Sequence, residues 1–145
     1  AHGMAGARVG YALAEPALAA AFDRVRNHFG VGRIVQAGAL AALADTAHLQ
    51  RVRQLTLAAR DRLAGIATEN GLRPLPSATN FVTMDCGADG DFARAVLREC
   101  VARGVFIRMP GVAPLDRCIR VSLGDDAALD VFAEVLPQAL AAARG

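Results

Sequence analysis

The sequence predicts an α+β fold in which helices lie over a small, mainly antiparallel sheet, and three observations predict it. Apolar residues recur at three- and four-residue steps in several separate segments, as they do on amphipathic helices. Shorter runs rich in Val, Ile and Phe, bounded by Pro and Gly, alternate as strands do. The composition is 54% hydrophobic but only 5% aromatic, which favours close packing of aliphatic helices over a β-sandwich.

In chain order, Ala7 to Ala14 is mostly apolar, includes Val9 and Tyr11, and reads as a buried strand. Pro16 then gives a first-turn helix signal, with Leu18, Phe22, Val25 and Phe29 along one face and Gly30 as the stop. A second helix is expected from Ile34 to Ala44, ended near Asp45 and Thr46, either of which can cap the next. The longest helix follows, its stripe Leu49, Val52, Ala59, Leu63 and Ile66, with Asn70-Gly71 closing it.

Pro74 and Pro76 make a stiff connector, after which Thr79 to Met84 reads as a strand around Phe81. Asp89 to Arg103 is a helix with Phe92, Val96 and Cys100 inward and Gly104 at its end. Two short strands are expected at Val105 to Met109 and Cys118 to Leu123, joined by a loop holding Pro110, Gly111 and Pro114. Asp125 or Asp126 caps the last helix, whose stripe is Leu129, Phe132, Leu136 and Leu140. Pro137 within it predicts a kink or an early end, because proline lacks the amide donor and crowds the preceding turn.

The length of 145 residues fits one domain or a large piece of one. All 16 basic residues are arginines, so the chain holds no primary amine on a side chain with which an aldehyde could condense. Acids and arginines are interspersed at a net charge of +2, which points to neither nucleic acid nor a membrane surface as partner. Cys86, Cys100 and Cys118 lack paired metal or redox spacing, which predicts reduced thiols and a cytoplasmic location; no metal site is expected. Ala1 opens straight into a glycine-rich stretch, which reads as a chain beginning mid-protein.

Residues 1 to 11, A-H-G-M-A-G-A-R-V-G-Y, carry the most chemistry. Glycines there permit tight turns, and Arg8 offers a planar fork for an anion such as phosphate. The stretch fits neither the dinucleotide fingerprint nor the P-loop, and spacing alone favours an ordinary turn with a surface arginine over an anion site. Later, Arg108 alternates with Ile107 and Met109, and Arg120 with Ile119 and Val121, so each arginine stands on the face opposite an apolar one. A solvated strand face accounts for both as well. His2, His28 and His48 have no spacing of a metal site or triad.

The run A-G-A-R-V-G-Y resembles the pattern of fold-type I, pyridoxal-phosphate-dependent aminotransferases, most closely the histidinol-phosphate aminotransferase family. R-N-H-F-G-V-G-R at 26 to 33, Q-A-G-A-L-A-A-L-A-D at 36 to 45, S-A-T-N-F-V at 77 to 82 and C-I-R-V-S-L-G at 118 to 124 extend the resemblance along the chain. Gly32 departs from it, standing where many relatives carry asparagine. The resemblance implies that residues 1 to 14 are the tail of a large α/β domain and residues 15 to 145 a linking helix and small α+β domain. It implies pyridoxal 5'-phosphate as cofactor, with Arg8 on its phosphate and the cofactor-bearing lysine immediately before Ala1.

It further implies that Arg120 meets the substrate carboxylate, Arg108 the far end of the substrate and its phosphate, and that Asn80 faces the active site. The expected reaction exchanges an amino group between histidinol phosphate and 2-oxoglutarate, in a homodimer with small-molecule amino donors and 2-oxo acids as partners. An aromatic-amino-acid aminotransferase or a threonine-phosphate decarboxylase would share these motifs, and a non-catalytic interaction module of the same architecture also stays open.

Overall fold

The computed structural model describes residues 1–145, which divide into two compact units, Ala1–Arg53 and Gln54–Gly145. In the first, a single 3-10 turn at Ala5–Ala7 precedes the helices α1 (Pro16–Val25) and α2 (Arg33–Ala44). The helix α3 (Thr46–Glu69) starts in this unit, and the Asp45 carboxylate accepts the His48 amide at 2.9 Å, satisfying one of its free N–H groups.

The expected strand from Ala7 to Ala14 is absent: beyond the 3-10 turn the chain is unpaired through Glu15. Apolar content there was read as burial, but a strand needs a neighbour to take its amides, and this unit supplies none. α1 also stops at Val25 rather than near Gly30, because Arg26 leaves helical geometry at φ −69° and ψ 153°. Neither α1 nor α2 contains a buried residue.

The second unit has a core. A three-stranded antiparallel sheet, order β1-β2-β3, is built from β1 (Arg73–Pro74), β2 (Phe81–Asp85) and β3 (Cys118–Ser122). β2 and β3 pair from Phe81 with Ser122 to Asp85 with Cys118. One face of the sheet carries Val82, Met84, Ile119 and Val121, all buried. Leu63, Ile66 and Ala67 of α3, Ala93, Val96 and Cys100 of α4 (Gly90–Ala102), and Leu129, Phe132, Leu136 and Leu140 of α5 (Asp126–Ala143) complete one cluster with them. This is the α+β arrangement that the apolar stripes predict.

Both late helices are capped as their sequences require. Asp89 accepts the Phe92 amide and Asp125 the Ala128 amide, each at 2.9 Å. Pro137 does not end α5, which continues to Ala143. Its ring is exposed while Leu136, Ala139 and Leu140 around it are buried, so the packing on both sides outweighs the one lost backbone bond. The expected strand Val105 to Met109 shrinks to a single antiparallel bridge between Arg108 and Arg120. Pro110, which has no amide to donate, follows directly and limits the ladder.

Candidate functional site

Alternation along β2 and β3 puts Phe81, Thr83, Arg120 and Ser122 on the sheet face away from the helices. Arg108 joins them through its bridge: its amide donates to the Arg120 carbonyl at 3.0 Å, and the Arg120 amide donates back at 2.6 Å. A pair that exchanges both bonds is directly opposed, so the two side chains leave the sheet on the same face. Thr83 is opposite Arg120 on its other side.

Neither arginine has a carboxylate partner. Other arginines of this unit do have such partners: Arg62 pairs with Asp126 and Asp130, Arg94 with Asp91, Arg103 with Glu99, and Asp85 holds both Arg73 and Arg117. Phenyl rings support the two instead. The Arg120 guanidinium carbon lies 4.8 Å from the centre of the Phe81 ring, and that of Arg108 lies 5.9 Å from the centre of Phe106. Cation–π contact uses the flat face of guanidinium and leaves its in-plane N–H donors free for an anion.

Asn80 is exposed just before β2, where its carbonyl accepts the Leu123 amide at 2.9 Å. Its side chain makes no hydrogen bond to either arginine. The loop bonding that asparagine supplies near prolines comes instead from Ser77 and Thr79, whose hydroxyls donate to the Phe81 carbonyl at 2.6 and 3.2 Å. Sequence reasoning missed the two rings. Phe81 and Phe106 are legible as strand residues, and alternation alone puts Phe106 on the face of Arg108, but that Phe81 supports Arg120 depends on a register that a single sequence does not print.

Asp85 was missed as well. Its carboxylate is buried and accepts from Arg73 at 2.7 Å, from Arg117 at 2.6 Å and from the Gly87 amide at 3.0 Å. The Arg73 guanidinium, then the Gly87 amide, hold it well below its ordinary range, at about 2. It ties β1, β2 and the approach to β3 together, and it is structural.

In the first unit, Arg8 ends the 3-10 turn in the left-handed region, at φ 53° and ψ 50°, as the one non-glycine residue with positive φ. Glycine would sit there without steric cost, so the turn itself does not call for an arginine. The guanidinium donates to the Ala5 carbonyl at 3.1 Å, is exposed, and has no carboxylate partner. Gly6 and Gly10 beside it leave open space where side chains would stand. A cavity of about 870 Å³ in this unit is lined by His2, Met4, Val9, Gly10, Tyr11 and Leu40 among others. The His2 ring stacks on His48 at 6.0 Å, and His48 Nε2 lies 3.3 Å from the Ala1 carbonyl, so these histidines pair with each other. No cluster of His, Cys, Asp or Glu is arranged to hold a metal ion, and no helix is long and apolar enough to cross a membrane.

The sequence matches the family Aminotransferase class I and II over residues 1–136. The chain belongs to the class I and II aminotransferases. Among individual members of these aminotransferases, it is 37% identical over 99% of its length to histidinol-phosphate aminotransferase 2 of Ralstonia nicotianae, covering 39% of that protein. It is 39% identical to histidinol-phosphate aminotransferase 1 of Cupriavidus pinatubonensis, over 86% of this chain and 33% of that one. The crystal structure of histidinol-phosphate aminotransferase from Sinorhizobium meliloti in complex with pyridoxal 5'-phosphate is 52% identical, superimposes with a TM-score of 0.91, and is matched over 96% of this chain and 38% of its own. The chain thus spans less than two-fifths of the length of each of these aminotransferases.

Proposed function

We propose that these residues are the C-terminal part of a pyridoxal-phosphate-dependent histidinol-phosphate aminotransferase. In this reading residues 1 to 14 close a large fold-type I α/β domain and residues 15 to 145 form the linking helix and small domain. The observation that carries it is the opposed pair Arg108 and Arg120, two guanidinium groups without a carboxylate between them on one sheet face. Family membership and the high similarity to a cofactor-bound relative support the same reading.

The residues fit the phosphate end of the cofactor. Arg8 makes one internal bond, is exposed, and has donors left for phosphate oxygens. The aldehyde end needs an amine, and no lysine lies in residues 1–145. Pyridoxal 5'-phosphate, when bound, supplies a carbonyl that takes up the amino group and a ring that stores the electrons left by the departing α-proton. Arg120 would orient the carboxylate of glutamate or 2-oxoglutarate. Arg108 beside it makes a doubly charged seat suited to the phosphate of histidinol phosphate, and Asn80 is assigned to the substrate side with them.

We further propose a homodimer working in the cytoplasm. Residues 1–53 include no buried side chain, and Tyr11, Leu13, Val25, Phe29 and Ile34 are exposed; in this reading the remainder of the aminotransferase covers that apolar surface, and the homodimer rests on the family resemblance. The test of the whole reading is to purify the full-length polypeptide, record its visible absorption before and after borohydride, and profile its amino donors. A coloured protein that prefers histidinol phosphate is expected. A colourless one, or one preferring an aromatic amino acid, would overturn the cofactor or the substrate assignment respectively.

A further inference from the structure

We propose that Phe81 is a positioning residue for Arg120, holding the plane of its guanidinium so that the donor edge meets the anionic group of the substrate; this rests on the reading of Arg120 given above. Phe81 is itself unusually well fixed. Its carbonyl accepts two hydroxyl hydrogen bonds, from Ser77 and Thr79, and its amide donates to Thr79 Oγ1 at 3.4 Å. Its strand register is set by the Ser122 pairing, which places the ring one step diagonally from Arg120 on the same sheet face.

Arginines in proteins are commonly oriented by carboxylates, which occupy their donors and neutralise their charge. Arg73 and Arg117, both bound to Asp85 of β2, show that arrangement. Arg120 is held differently: its backbone is fixed on both sides, by Arg108 and by β2, and its head group lies over a phenyl face 4.8 Å away. A ring constrains rotation of the planar group while taking none of its N–H donors. The Ser77-Ala78-Thr79 turn, through Phe81, therefore sets the geometry of a group it does not touch.

The experiment uses the full-length, cofactor-loaded protein. Phe81→Leu and Phe81→Tyr are compared with wild type for KM and kcat with histidinol phosphate, and for inhibition by inorganic phosphate, a readout that needs no turnover of the probe. Leucine should raise KM and the phosphate inhibition constant together by about threefold to thirtyfold, with kcat little changed, and tyrosine should keep both near wild type. Stepwise fluorination of the ring at position 81 preserves shape and folding while weakening the negative face, and should loosen phosphate progressively. Loss of phosphate inhibition in Arg120→Ala together with no effect of leucine or fluorine at position 81 overturns the role of Phe81 alone. Unchanged phosphate inhibition in Arg120→Ala overturns the underlying reading of the site.

Discussion

Arg108 and Arg120 face each other as a doubly hydrogen-bonded pair, each amide donating to the other's carbonyl, with no carboxylate between their side chains. Like charges directly opposed across a sheet are destabilising, by ~0.2–1 kcal/mol. Their juxtaposition is therefore a cost to the fold, one that the anionic ligand proposed for them would relieve.

Substitution of Arg108 by threonine should separate the two effects. Threonine suits a strand and removes the repulsion, so urea unfolding of the full-length protein should show a gain of ~0.5 kcal/mol. Phosphate inhibition should weaken at the same time by about tenfold or more, as charge-assisted hydrogen bonds are lost. A variant that loses both stability and affinity would mean that Arg108 supports the sheet rather than the ligand.

Asp85 should behave in the opposite way. Arg73, the Gly87 amide and Arg117 hold its carboxyl at about 2, below its ordinary 3.8. A carboxyl depressed on folding contributes stability that is fully present above its unfolded value and is lost as pH falls toward the folded one. The pH dependence of unfolding between those two values should thus flatten in Asp85→Asn, and stability at neutral pH should fall by ~2 kcal/mol as hydrogen bonds to a charged acceptor are weakened. Equal acid sensitivity in the variant and wild type would remove Asp85 from this role.

The contrast between these sites shows what one sequence can convey. The stripe Leu129, Phe132, Leu136 and Leu140 forecast a buried helix face, and all four are buried, because helical periodicity depends only on spacing. The caps at Asp89 and Asp125 are equally local. Register is not local. That Thr83 pairs with Arg120, and Arg120 with Arg108, depends on how separate segments align, so the arginines were legible as candidates and the ring of Phe81 beneath Arg120 was not. Val9 and Tyr11 look like a strand, yet a strand also needs a partner, and none within residues 1–145 pairs with them.

The cysteines yield a prediction from burial. Cys86, Cys100 and Cys118 are all buried and unpaired. Burial pushes the Cys86 and Cys100 thiols up to about 11, so almost none of either is thiolate at mildly alkaline pH. A thiol reagent should label them only at the rate at which the second unit opens, with denaturant accelerating the reaction sharply. Rapid labelling of Cys86 or Cys100 in native protein, read by peptide mass spectrometry, would show that this core opens locally.

Gly124 joins β3 to α5, and its lack of a side chain is required by the helix it precedes. A Cβ at Gly124 would stand 2.7 Å from the Ala128 Cβ, closer than two such atoms approach. Ala128 cannot easily withdraw, because its amide is bound to the Asp125 cap at 2.9 Å. Gly124→Ala should therefore destabilise the protein by ~1–3 kcal/mol, as overpacking does. Ala128→Gly should cost ~0.5–1 kcal/mol by itself, through helix propensity. Combined, the two should be more stable than Gly124→Ala alone, since removing the Ala128 methyl removes the clash. Strictly additive losses in the double variant, measured by denaturant unfolding, would place the need for glycine in the backbone of residue 124 and not in its contact with Ala128.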